Sequence, residues 1–186
     1  MCDKDCISFG EENLTFDEVS EKKIIEVGAF NVNGSLRSYI EKFKPLEYVG
    51  VDIEKGPCVD KICNAYDLIT VFGKESFDVL ISTEMLEHVE NWRLVISNFK
   101  NILKKNGILI LTTRSFSFPK HDFPHDFWRY EEEDFRFMFS DFVINQTKKD
   151  TIFAGIFIKA TKPSNFVEVD LSKYELYNIN EKKRIL

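Results

Sequence analysis

The residues of this chain best suited to chemistry are two carboxylates flanking a glycine and three histidines, two of which stand among aromatic rings. The apolar run Lys23-Ile24-Ile25 ends in Glu26-Val27-Gly28, and a second run, Tyr48-Val49-Gly50-Val51, ends in Asp52. Gly28 lets the backbone approach a ligand with no Cβ in the way. A carboxylate such as Asp52 can accept hydrogen bonds from both hydroxyls of a ribose. Open α/β sheets bind ligands at the C-terminal ends of adjacent strands, so this pair reads as a nucleoside site. The histidines are His88, in Glu87-His88-Val89, and His121 and His125, in Lys120-His121-Asp122-Phe123-Pro124-His125-Asp126-Phe127-Trp128-Arg129-Tyr130. Imidazole is the side chain whose ordinary pKa suits proton transfer near neutrality. Aromatic walls with a few converging polar groups suit a small-molecule or sugar pocket.

The elements that must position these groups alternate between strand and helix, which predicts an α/β fold. Strands are expected at 23–28, 47–52, 60–63, 77–82 and 107–113, after a short leading helix within 11–20. Phe77–Ile81 and Ile108–Leu111 are nearly continuous apolar runs, as central parallel strands buried on both faces require. Between them Val89, Trp92, Ile96, Phe99 and Leu103 recur at helical spacing, with Asn91 as N-cap and Asn106-Gly107 as the stop. Only seven residues separate Asp52 from Asp60, too few for a crossover helix, so the 60–63 strand should be short or follow a loop. Beyond Ser115 a loop rich in Phe, His and Pro leads to a helix at 131–139. Strands at 141–148 and 151–160 then form an antiparallel hairpin turning near Lys149-Asp150. Residues 163–186 carry little pattern. With Tyr174 and Tyr177 beside Leu171 and Leu176, they could close the pocket or join two chains as a homodimer.

At 186 residues the chain suits a single domain over 1–186, with its core at about 22–160, a leading segment 1–21 and a tail 161–186. A hydrophobic content of 44% with 30% charged residues is that of an ordinary globular protein. The net charge of −6 argues against nucleic-acid binding, which needs a positive surface. No apolar run is long enough to cross a bilayer, and Met1–Cys6 lacks the order of a secretory signal, so a cytoplasmic location is the default expectation. Cys2, Cys6, Cys58 and Cys63 do not follow zinc-knuckle spacing and are expected to be free thiols, the first two in a mobile terminus.

Four separated segments, in order, resemble the class I S-adenosylmethionine-dependent methyltransferases. They are Ile25–Gly28 with Val32–Arg37 after it; Tyr48–Ile53; Ser76–Ser82 with Leu86–Val89 after it; and Leu103–Leu111. The resemblance covers about residues 22–160. It implies a Rossmann-like doubly wound sheet, mostly parallel with an antiparallel C-terminal hairpin strand, and S-adenosyl-L-methionine as cofactor. Carried over by position, Glu26 and Gly28 would bound the methionine part, and Ala29 and Asn33 would also contact the cofactor. Asp52 would hold the ribose, Ile53 would pack on adenine, Asn64 and Ala65 would lie by the adenine amine, and Thr83 would lie beside the cofactor. Two departures stand out. Phe30 and Val32 occupy the positions of the second and third glycines of the commonest pattern, and Asn64 replaces an acid, offering its side-chain oxygen instead. A nicotinamide site would need those glycines to seat a pyrophosphate, so hydride transfer is disfavoured.

Transfer of a methyl group to a hydroxyl requires a base. His125, His121 and His88 are the candidates, although His88 could equally position the helix that follows it. The stretch from Pro124 to Arg129 is similar to a Pro-His-Asp-aromatic-Trp-Arg signature of methyltransferases in cell-surface polysaccharide pathways. That similarity implies a small polar acceptor such as a sugar or glycan-precursor hydroxyl, with Asp126, Trp128 and Arg129 on the substrate side. Alternatively, Phe127 and Trp128 pack the loop onto the core while Asp126 and Arg129 pair internally. His121 and His125 as metal ligands would lack a helix and a third ligand, so no metal is expected. A non-catalytic member of the fold that serves as a binding or scaffold partner is the competing reading. An RNA or protein substrate is disfavoured by the acidity and by the absence of an appended recognition domain.

Overall fold

The computed structural model describes residues 4–121, 124–150 and 152–186. Cys2 and Asp122 therefore lie outside the described residues. Helices α1 (Lys4–Asn13) and α2 (Phe16–Val19) lead into β1 (Lys23–Val27), α3 (Arg37–Ile40), β2 (Glu47–Asp52), β3 (Lys61–Ile62), α4 (Leu68–Phe72) and β4 (Phe77–Thr83). Then come α5 (Trp92–Ile102), β5 (Leu103–Arg114), β6 (Trp128–Arg129), α6 (Glu132–Met138), β7 (Val143–Asp150), β8 (Gly155–Thr161), β9 (Leu176–Asn178) and β10 (Lys183–Ile185).

Seven strands form one sheet in the order β3-β2-β1-β4-β5-β8-β7. β1 pairs in parallel with both β2 and β4, β4 with β5 likewise, and β8 and β7 add antiparallel strands at one edge. The strand order reverses at β1 and β4, which opens a crevice outside their C-terminal ends. Central side chains alternate between two cores, as the pleat demands. Ile25, Leu80, Leu109 and Leu111 join α5 and α6 on one face; Ile24, Val79, Ile81, Ile108 and Ile110 join α1 and α3 on the other.

The expected doubly wound, mostly parallel sheet with its antiparallel hairpin is present, and several details differ. The short helix expected within 11–20 is α2, and an unexpected longer one, α1, precedes it from Lys4, because Cys6 and Phe9 are wholly buried and Phe9 packs on the ring of Phe157 at 5.5 Å. Cys6 is thus part of the core, not of a mobile terminus. Helix α5 ends at Ile102 without a glycine stop, since Leu103 pairs directly with Phe77. Asn106, at φ 63°, instead turns the chain back into register before Ile108. Lys149 and Asp150 end β7, paired with Ile156 and Gly155, and so stand next to the hairpin turn as expected, with β8 starting only at Gly155. The tail is the larger surprise. β10 and β9 form a three-stranded sheet with β6, the strand that follows His121 and His125 in the chain.

Candidate functional site

At the crevice lies a cavity of about 480 Å³. Glu26, Gly28, Ala29 and Asn33 line it from the β1 side, Asp52 and Ile53 from the end of β2, Asn64 and Ala65 from the segment after β3, and Thr83 from the end of β4. His88, His121 and His125 line it as well. Groups from five separate stretches of sequence therefore share one space, of a size usual for small-molecule sites.

The β1–α3 turn is held by its own backbone. The N–H groups of Gly28 and Ala29 both donate to the carbonyl of Val51 at 3.0 Å, which ties the turn to β2. Gly28 sits at φ 81°, and a Cβ there would lie 2.7 Å from Cβ and Cγ of Met85. Both the backbone conformation and the close approach require glycine. Phe30, which stands where a glycine was expected, donates its N–H to Asp52 Oδ2 at 3.1 Å and lays its ring on Gly56. Asp52 Oδ1 accepts from the N–H of Glu54 at 3.2 Å. Each carboxylate oxygen keeps a further lone pair, and the backbone bonds fix the plane of the group.

Glu26 is almost fully buried. Tyr48 donates its hydroxyl to Oε2 at 2.7 Å, and the Ser35 hydroxyl approaches at 3.4 Å. Burial outweighs these bonds and the nearby Arg37, raising the Glu26 carboxyl to about 7. Glu84, at φ 53° beyond β4, is buried and paired with Arg114; burial, then the charge of Glu87, raises its carboxyl also. Asn64 caps the short turn Ala65–Asp67 by accepting the Tyr66 N–H at 3.0 Å, so its oxygen is already partly used.

On the histidine side, Asp126, Trp128 and Arg129 are absent from the cavity wall and build the loop behind it. Arg129 grips both oxygens of Asp126 at 2.6 Å and also donates to the carbonyls of Phe118, Pro119 and Trp128. Although burial pushes the Asp126 carboxyl up, the bonds from Arg129 and His121 hold it well below the usual carboxylate range. With its donors committed to the protein, Arg129 is placed to fix the loop and not to orient an anionic acceptor, because a buried bidentate pair leaves no face for a ligand. Trp128 donates Nε1 to the carbonyls of Val89 and Glu90, locking the loop to the segment after β4. The tail completes the frame: Asn180 donates to the Asp126 carbonyl and Ile179 N–H to the Phe127 carbonyl, both at 2.8 Å.

Sequence reasoning gave no role to Glu87. It is fully buried between His88 and His121, its Oε2 accepting from Thr113 Oγ1 at 2.8 Å. The only signal was its place beside His88 at the end of a strand. Met85 and Tyr66, which wall the cavity, were also missed, since each sits on an irregular segment without periodicity.

The family model described as a methyltransferase domain matches residues 4–147. No curated protein matches the sequence. Among solved structures, the YcgJ protein of Bacillus subtilis superposes with a TM-score of 0.64 at 13% identity, covering 88% of this chain and 100% of that one. The Burkholderia thailandensis 1,6-didemethyltoxoflavin-N1-methyltransferase, solved with bound 1,6-didemethyltoxoflavin and S-adenosylhomocysteine, gives 0.63 at 14%, covering 87% and 80%. An S-adenosylmethionine-dependent methyltransferase from Mesorhizobium loti gives 0.56 at 12%, covering 78% and 93%. At such identities the likeness is one of fold.

Proposed function

The chain belongs to the S-adenosylmethionine-dependent methyltransferase family, and from that premise we propose that it methylates a hydroxyl of a small polar acceptor, such as a sugar or a glycan precursor. One observation carries the reading: the carboxylates of β1 and β2 and the three histidines share one cavity. The residues fit the cofactor. The cradle above Gly28, which a Cβ would fill, admits a ligand against bare backbone. Asp52, its plane set by Phe30 and Glu54, keeps lone pairs for two ribose hydroxyls. Glu26 presents a carboxylate to the cationic amino-acid end, where a sulfonium compound needs no phosphate cradle, so Phe30 and Val32 are tolerated in place of glycines. The cofactor supplies a methyl group already activated by a positive sulfur.

The protein's part is to align, to exclude water and to take a proton. His125 is the base in this reading. Its ring lines the cavity, and no hydrogen bond engages its ring nitrogens among the described residues. Its backbone is pinned, because its carbonyl accepts from His88 Nδ1 at 2.5 Å. Asp126, held by Arg129, positions His121 beside it. No helix among the described residues is long and apolar enough to cross a membrane.

The test is methyl transfer from labelled cofactor to a panel of sugars and nucleotide sugars, with His125→Ala alongside. Transfer by the parent, with a loss of about a hundredfold in the variant and unchanged cofactor affinity, is expected. Equal rates for both remove His125 as base. Cofactor binding without transfer to any panel member removes the sugar acceptor. A folded protein that does not bind S-adenosylhomocysteine at all would instead favour the scaffold reading.

A further inference from the structure

Glu87 Oε1 and the Nε2 atoms of His88 and His121 converge behind the histidine wall. His88 must donate from Nδ1, because its 2.5 Å partner is the carbonyl of His125. A neutral imidazole so committed presents a bare lone pair at Nε2. His121 Nδ1 lies 3.0 Å from Asp126 Oδ2 without an aligned hydrogen bond, and the nearness of that carboxylate favours the neutral tautomer with its proton on Nδ1, which leaves Nε2 bare. The two Nε2 atoms stand 3.8 and 3.9 Å from Glu87 Oε1. That oxygen is fully buried and has no hydrogen-bond partner among the described residues, and neither does His121 Nε2. An unpaired buried carboxylate oxygen facing two lone pairs is costly unless a cation lies between them.

We propose that Glu87, His88 and His121 form a binding site for a divalent transition-metal ion of the Zn²⁺ type. The donor set of two imidazoles and one carboxylate suits that class. The three ligand atoms lie within 4.8 Å of one another, and a tetrahedral site asks for roughly 3.4 Å, so ligation would draw them inward. The supporting bonds are those such sites require. One histidine is oriented by a backbone carbonyl, the other by a carboxylate that Arg129 in turn holds. Both histidines line the cavity, so a fourth position opens towards the acceptor. An ion there would make a bound hydroxyl more acidic and pass its proton more readily to His125.

The site is tested on the full chain, stripped with chelator, without cofactor or acceptor, so that its failure and the failure of the transferase reading are separable. Titration with Zn²⁺ should give one equivalent at micromolar affinity or better. Glu87→Gln, nearly isosteric, and His121→Ala should each weaken it at least tenfold, whereas His125→Ala should not. Co²⁺ substitution checks the parent independently of any variant: bands of nitrogen and oxygen ligation are expected. Absence of stoichiometric binding, affinity indifferent to both substitutions, or thiolate bands from the cysteines would each overturn the proposal.

Discussion

Replacing Glu26 with glutamine removes a buried charge while keeping shape and an acceptor for the Tyr48 hydroxyl. In the folded chain burial, helped by repulsion from Asp60, raises the carboxyl from 4.5 to about 7, against bonds from Tyr48 and Ser35 and attraction from Arg37. Because the folded state holds this proton more tightly than the unfolded chain, the contribution is complete below pH 4.5 and is lost as the pH rises through 7. That difference corresponds to about 3 kcal/mol, of which about 2–3 kcal/mol falls between pH 5 and pH 8. Urea denaturation across that interval should therefore show the parent losing stability relative to Glu26→Gln by that amount. The raised carboxyl of Glu84 slopes the same way in both proteins and cancels in the difference. Binding of cationic cofactor favours the ionised carboxylate, so at pH 7 the parent should release about half a proton per event. Calorimetry in two buffers of different ionisation enthalpy reads this, and the variant should release none. Parallel stability profiles for parent and variant would refute the reasoning.

Gly28→Ala should lower stability by about 1–3 kcal/mol, since alanine is strained at φ 81° and its Cβ meets Met85; thermal melts check this, and cofactor affinity should fall with it. Asp52→Ala should weaken S-adenosylhomocysteine binding by roughly ten- to a hundredfold, the worth of charge-assisted hydrogen bonds, with little loss of stability by urea denaturation because the side chain is partly exposed. Arg129→Met leaves Asp126 buried without its partner and should destabilise the fold by roughly 3–5 kcal/mol on the same measurement; a neutral result would mean the pair is dispensable.

The sheet was legible because its signals are local. Ile108–Leu111 is apolar at every position since both faces are covered, and Gly28 and Asp52 announce strand ends by residue type alone. The cofactor wall followed from the order of those ends. The three histidines could be named from the sequence, but their partners could not. Helix α1 escaped because its buried face is short, and the tail because a three-residue strand such as β9 has no period to read. Arg129 could as well have met an acceptor as Asp126; only packing of the loop between Val89 and Asn180 decided that it closes on its neighbour. Glu87 and His121 are separated by thirty-three residues, and no rule of spacing joins them. The sequence by itself determined which strands exist and where a ligand rim must form, because burial and backbone freedom are properties of short stretches. The tertiary structure alone decided which polar atoms face one another, because that depends on loops meeting across the sheet edge.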